Sequence, residues 1–163
     1  TVAIEETETA GSLHDKLMQT GSGLLIRTLD ELEAGSLQAQ EQNEEEALKM
    51  APKIFKEDQK LHFNEKAQKV LNRIRGLSPY PAAFAELVTP DETLTLKIYE
   101  ASLVDETSKK LPGQLKTNGK KYLYVACADG YISLEEVQLA GKKRMPVGAL
   151  LNGFPLNEEM HLR

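Results

Sequence analysis

The rhythm of apolar and polar positions changes along this chain, and each rhythm predicts a different element. Leu13, Leu17, Leu24, Leu25, Leu29 and Leu32 recur at helical spacing, with Asp15, Lys16, Arg27 and Asp30 elsewhere. That pattern predicts a helix from about Thr9 to Glu33, stopped by Gly35. Gly21 and Gly23 fall inside it and weaken it by roughly 1 kcal/mol each relative to alanine, so a kink or a break into two helices is expected there. A stripe this rich in leucine is expected to be buried, either on the later domain or on a sheet supplied from elsewhere. Residues 36 to 51, SLQAQEQNEEEALKMA, have neither a helical nor a strand period and read as a solvated linker.

Beyond KIFKEDQKLHF the period becomes helical again. Asn64 is placed as the N-cap and Glu65 at the positive end of the helix dipole. Ala67, Val70, Leu71 and Ile74 form the buried face, Lys66, Lys69 and Arg73 a basic ridge, and Gly76 the end. Pro79 and Pro81 then force extended backbone on their predecessors and start a strand, expected at a sheet edge.

From there the period is two. Candidate strands are Tyr80 to Val88, Leu94 to Val104, Gln114 to Thr117, Tyr122 to Ala128 and Tyr131 to Leu139, separated by Pro90-Asp91, Pro112-Gly113, Asn118-Gly119 and Asp129-Gly130. A two-residue Asp129-Gly130 turn would set Cys127 opposite Ile132 and Val125 opposite Leu134. Alternation slips between Ile98 and Ala101 and again between Leu134 and Val137, which predicts bulges, and bulges curve a sheet toward a barrel. The fold class expected is α+β, mostly β: a small OB-like antiparallel barrel with flanking helices. A short helix near Pro146, with Leu150 and Leu151 facing inward and Gly153 after it, ends the pattern; Asn157 to Arg163 is expected to be loose.

Composition changes this picture in one respect. The net charge of −5 over 163 residues conceals an asymmetry. Residues 1 to 48 hold 2 basic and 11 acidic side chains, net −9, whereas residues 49 to 163 hold 18 basic and 14 acidic, net +4. No window is apolar enough to span a membrane, and the amino terminus TVAIEETETAGS lacks the basic start and apolar run of a secretory signal, so a cytoplasmic protein is expected. The single cysteine, Cys127, lies in the apolar run YLYVACA and reads as a buried hydrophobe.

Candidate chemistry is sparse. His14, His62 and His161 have no metal-ligand spacing, TGSGLL lacks the context of a phosphate loop, and Glu44, Glu45 and Glu46 read as solvated charge. No catalytic residue and no metal ligand is expected. Basic residues instead form three groups: Lys49, Lys53, Lys56 and Lys60; Lys66, Lys69, Arg73 and Arg75; and Lys142, Lys143 and Arg144. Such groups suit a polyphosphate backbone, with lysines as point charges and arginines as forked donors. Tyr80, Tyr122, Tyr124 and Tyr131 are candidates for stacking on unpaired bases.

AGSLHDKLMQTGSGLLIRTLDELEAG, APKIFKEDQKLHF, LNRIRGLSPYPAAF, and VACADGYISLEEVQLAGKKRM followed by ALLNG resemble, in order and spacing, the later portion of the methionyl-tRNA formyltransferase family. The likeness covers nearly the whole chain. It implies a two-domain parent: a Rossmann-like catalytic domain using 10-formyltetrahydrofolate as co-substrate, a linker, and an OB-like domain that holds initiator methionyl-tRNA. Residues 1–35 would be the last helix of the catalytic domain, 36–52 the linker and 53–163 the tRNA-binding domain. The family's catalytic asparagine, histidine and aspartate, and its Ser-Leu-Leu-Pro loop, precede this sequence. The chain is therefore expected to be a non-catalytic fragment, monomeric, binding neither metal nor folate by itself. Lys53, Lys56, Arg73, Arg75, Lys142, Lys143 and Arg144 would meet tRNA phosphates, although Arg75 equally suits a brace between helix and linker. The alternative is a structural or dimerising domain of a sugar-nucleotide formyltransferase.

Overall fold

A computed structural model describes residues 1–41 and 50–163. About half of the expected linker, including Glu44 to Glu46 and Lys49, thus lies outside the described residues. The fold is mostly β, a nearly closed antiparallel barrel with a few helices. Its strands are β1 (Ala83–Val88), β2 (Thr93–Val104), β3 (Leu115–Thr117), β4 (Leu123–Ala126), β5 (Tyr131–Leu139), β6 (Met145–Pro146) and β7 (His161–Leu162). They run in the order β3-β4-β5-β2-β1-β7, with β6 paired beside β5.

Alternation places the core. Along β1, Ala83, Ala85 and Leu87 point inward, and they meet Leu96 and Ile98 of β2 and Val125, Ile132, Leu134, Val137 and Leu139 of β4 and β5. The two phase slips seen in the sequence are a bulge. Ile98 faces Val137 and Ala101 faces Leu134, and the pairing shifts on either side of Glu100. This bends β2 and β5 without turning their apolar sides outward.

The last residues are not loose. β7 pairs with β1 through Leu87↔Leu162 and Val88↔His161, and Leu162 is 2% exposed. The Leu162 N–H donates to the Gly113 carbonyl at 2.9 Å, and Gln114 bridges to His161, so the tail joins the two ends of the sheet. Gly113 is required at that seam: its φ is +85°, and a Cβ there would stand 2.1 Å from the Leu162 carbonyl oxygen. The tail carries Leu162 as its one deeply buried residue, with Leu156 just ahead of it, too few for a visible period of its own. Because β7 pairs β1 on the side away from β2, β1 is not an edge strand, contrary to the expectation from Pro79 and Pro81.

Helix α2 (Ala67–Leu77) packs on this sheet through Ala67, Val70, Leu71, Ile74 and Leu77. It begins later than the sequence suggested, because its cap comes from another part of the chain. Asp129 Oδ1 accepts the Ala67 N–H at 2.8 Å, and the Ala128 N–H donates to the Glu65 carbonyl at 3.0 Å. These contacts also fix the β4–β5 turn. Val125 faces Ile132 and Leu123 faces Leu134, not the predicted partners, and the Cys127 N–H donates to the Gly130 carbonyl. Moving the turn by one residue shifts the pairing by two, so the inward faces are unchanged. The final helix, α3 (Val147–Gly153), buries Val147, Leu150 and Leu151 as expected.

Helix α1 (Ala10–Glu33) is one continuous helix through Gly21 and Gly23, opened by a capping box between Thr9 and Ser12. Glycine lowers helix stability but keeps its backbone donor, so it need not break the ladder. Its leucine stripe is not buried: Leu24 is 55% and Leu29 54% exposed. Among the described residues only the first turn is docked, where the Gly11 N–H donates to the Ser78 carbonyl at 3.0 Å. A Cβ on Gly11 would fall 2.5 Å from Pro79 Cδ. The described residues offer the remainder of the stripe no covering surface.

Candidate nucleic-acid interface

Period-two alternation on β1 and β2 sends Phe84, Glu86, Thr95 and Lys97 outward. The segment from Lys56 to His62 runs alongside, held by Leu61, whose N–H donates to the Phe84 carbonyl at 2.9 Å. Leu61 and Phe63 are buried and anchor this segment. Between segment and strands lies a shallow cleft of about 910 Å³, bordered by Lys56, Lys60, His62, Tyr80, Phe84 and Lys97. Lys97 faces Phe84 across β1 and Gln138 across β5. Gln138 in turn donates to the Lys142 carbonyl at 3.0 Å. One outer wall of the barrel thus runs from Lys56 through Lys97 to the β5–β6 turn, where Lys142 and Lys143 are exposed.

The predicted residues divide sharply in what they touch. Among the described residues, Lys53, Lys56, Lys97, Lys142 and Lys143 have no carboxylate within ion-pairing distance. The three predicted arginines are all engaged. Arg73 donates to the Asp58 carbonyl at 2.8 Å and ties α2 to the short 3-10 turn Glu57–Gln59. Arg75 donates to the Glu8 carbonyl at 2.8 Å, to the Glu5 carbonyl at 2.7 Å and to Asn72 Oδ1 at 3.3 Å. It braces α2 against the segment ahead of α1, and not against the linker. Arg75 also borders a separate cleft with Glu6, Glu100 and Glu135, so it stands in acidic company away from the lysines. Arg144 pairs with Glu136, lies 3.7 Å from Glu100, and stacks 4.2 Å from the Tyr99 ring centroid. Glu136 holds its guanidinium charged and raises its already high pKa.

Sequence reasoning missed Lys97. Its alternation with Leu96 and Ile98 marks it as outward-facing, but its position between two basic groups follows only from strand register. Lys60 is weakened as a phosphate ligand because it pairs with Glu86 at 2.9 Å. Lys60, then Arg163 at 3.2 Å, hold the Glu86 carboxyl below its ordinary value of 4.5.

The candidate stacking tyrosines also separate. Tyr131 is buried, and Tyr122 and Tyr124 lean on each other with centroids 4.5 Å apart. Tyr80 alone of the four stands clear, 86% exposed. Cys127 is enclosed, and burial, then Asp129, push its thiol up to about 12, so it has no nucleophilic role at neutral pH. Among the described residues no group of His, Cys, Asp or Glu is placed to hold a metal ion, and no helix is long and apolar enough to cross a membrane.

The family described as formyl transferase, C-terminal domain, matches residues 53–155. The chain belongs to that family. The formyl transferase C-terminal domain therefore accounts for α2, strands β1 to β6 and α3, while β7 lies beyond the matched span. The chain is 39% identical over 166 residues to the methionyl-tRNA formyltransferase of Bacteroides fragilis, covering 99% of this chain and 51% of that protein. It is 43% identical over 158 residues to that of Flavobacterium johnsoniae, covering 97% and 50%. It thus spans about half the length of the curated relatives it matches. A crystal structure of a HypX variant from Aquifex aeolicus superimposes with a TM-score of 0.59 over 82% of this chain and 23% of that one, at 16% identity, a likeness of fold alone.

Proposed function

We propose that this chain is the tRNA-holding part of a methionyl-tRNA formyltransferase, whose whole transfers a formyl group from 10-formyltetrahydrofolate to the amino group of initiator methionyl-tRNA in the cytoplasm. What carries the reading is the 39% and 43% identity, over nearly the entire chain, to proteins bearing that name. In this reading α1 closes the catalytic domain, residues 36–52 link, and residues 53–163 grip the tRNA as a monomer. The part itself is not catalytic, and no residue here is assigned to the formyl donor.

The wall supports a backbone grip. Lys56, Lys97, Lys142 and Lys143 keep hydrated, mobile ammonium heads at the surface, where each can meet a phosphate and displace a counterion. Such contacts give affinity that falls steeply with salt and little sequence readout, so they position the RNA without choosing it. With about 0.9 counterion released per duplex phosphate, four lysines predict a slope of roughly −3 to −4 in log affinity against log salt. Arg73, Arg75 and Arg144 shape the platform through the bonds described above.

Filter binding tests this with charged initiator tRNA, elongator tRNA and single-stranded DNA at two salt concentrations. Retention of both tRNAs, with a steep salt dependence, is expected. A chain that retains no tRNA at low salt would instead be a structural appendage.

A further inference from the structure

We infer that the cleft between the Lys56–His62 segment and the outer faces of β1 and β2 is a subsite for one unpaired nucleotide, its base stacked on Tyr80 and its phosphate met by Lys56 and Lys97. This rests on the RNA-holding reading and assigns a distinct task to one part of the wall.

Tyr80 carries the inference. A large aromatic that is 86% exposed leaves most of its ring in water, while Tyr131 is buried, Tyr122 and Tyr124 lean on each other, and Tyr99 is covered by Arg144. Its flanking residues, Pro79 and Pro81, each fix a backbone φ, so the ring is presented from a stiff segment and little order is lost on binding. Ala82, directly after, is 1% exposed with a φ of +73°, and its N–H donates to the Leu77 carbonyl at 2.9 Å. The segment that carries the tyrosine along the border of the cleft is thus anchored by Ala82, two residues on.

The remainder of the cleft fits one nucleotide better than a duplex. Its volume of about 910 Å³ falls among ordinary small-ligand sites, roughly 300 to 1,000 Å³. Lys56, Lys60 and Lys97 border it together with Glu57 and Glu86, and Glu86 already holds Lys60 and Arg163. Lys56 and Lys97 are left for an incoming phosphate, and the two glutamates oppose the row of charges a duplex would bring. Base stacking on an aromatic tolerates any base, which suits a positioning contact.

The chain contains no tryptophan, so Tyr80→Trp installs a single fluorophore at the proposed stacking position. The 163-residue chain carrying it is titrated with initiator tRNA, a 12-nucleotide single-stranded RNA, the abasic form of that oligonucleotide and a blunt 12-base-pair RNA duplex. Quenching by tRNA and single-stranded RNA is expected, with little change from the abasic strand or the duplex even when filter retention shows them bound. Tyr80→Ala should weaken single-stranded RNA binding by about tenfold with an unchanged salt slope. Lys97→Ala should reduce the slope by about 0.7, the value per phosphate of a single strand. Equal quenching by the abasic strand, or tRNA retained with no fluorescence response, would overturn the subsite and leave the tRNA reading intact. Failure to retain tRNA while single-stranded RNA still quenches would do the reverse. Loss of both would overturn the two together.

Discussion

Two basic regions of this domain look alike in sequence and differ in what their charges touch. At the exit of α2, Arg73 and Arg75 point back into the molecule, and Arg75 grips two backbone carbonyls of the segment ahead of α1. On the barrel wall, Lys56, Lys97, Lys142 and Lys143 have no acidic partner among the described residues. The planar fork of arginine suits fixed carbonyl acceptors, whereas lysine keeps its head hydrated on a flexible stem. Local charge density therefore does not by itself separate structural cations from candidate phosphate ligands. The proposed grip rests on the division between engaged and unengaged cations.

The largest disruption should come from the platform both regions share. Gly113→Ala puts a Cβ into the Leu162 carbonyl at a positive φ, and should destabilise the domain by about 3 kcal/mol or more. Thermal unfolding measures that, and an unchanged Tm would show that the seam is dispensable. Arg75→Ala should have the next largest effect, about 1 to 2 kcal/mol for charged hydrogen bonds to partly exposed carbonyls. Hydrogen exchange should show it as loss of protection at Gly11 and the first turn of α1, with the RNA salt slope unchanged.

Lys142→Ala with Lys143→Ala should do the opposite. Tm stays within about 0.5 kcal/mol of equivalent stability, while tRNA binding weakens and the salt slope falls by about 1.8. The smallest effect is expected at Glu86, the carboxylate that opposes phosphate within the wall. Glu86→Gln frees Lys60 and Arg163 and should strengthen tRNA binding a few-fold. Because Lys60 lowers the folded pKa of Glu86, its stabilising contribution is complete above the ordinary value of 4.5 and is lost as pH falls through the folded value. The stability difference between wild type and Glu86→Gln, followed by thermal unfolding from pH 7 downward, should accordingly shrink below about pH 4.5.

Strand alternation made most of the barrel legible in the sequence, down to the slip between Ile98 and Ala101 that became the bulge. The contacts made by distant residues were not legible. Asp129 capping α2 displaced both the helix start from Asn64 and the hairpin turn, because one tertiary hydrogen bond outweighed local turn preference. The closing strand at His161–Leu162 is too short to show a period. The basic groups were visible as composition, but two facts needed coordinates. Arg75 and Arg144 are already bound, and Lys97 joins Lys56 to Lys142 through the pairing of three strands. The α1 stripe was expected to be buried and is exposed among the described residues, because a helical period does not state where its partner lies.

The salt dependence of initiator tRNA binding, measured for wild type, for a Lys97→Ala, Lys142→Ala, Lys143→Ala triple variant and for Arg75→Ala, tests the central claim most directly. The triple variant should lose about 2.5 from the magnitude of the slope, at about 0.9 for each of Lys142 and Lys143 and about 0.7 for Lys97 at an unpaired nucleotide, and Arg75→Ala should lose nothing. Equal slopes for wild type and the triple variant, or a drop confined to Arg75→Ala, would contradict the assignment of the barrel wall as the surface that meets the phosphates.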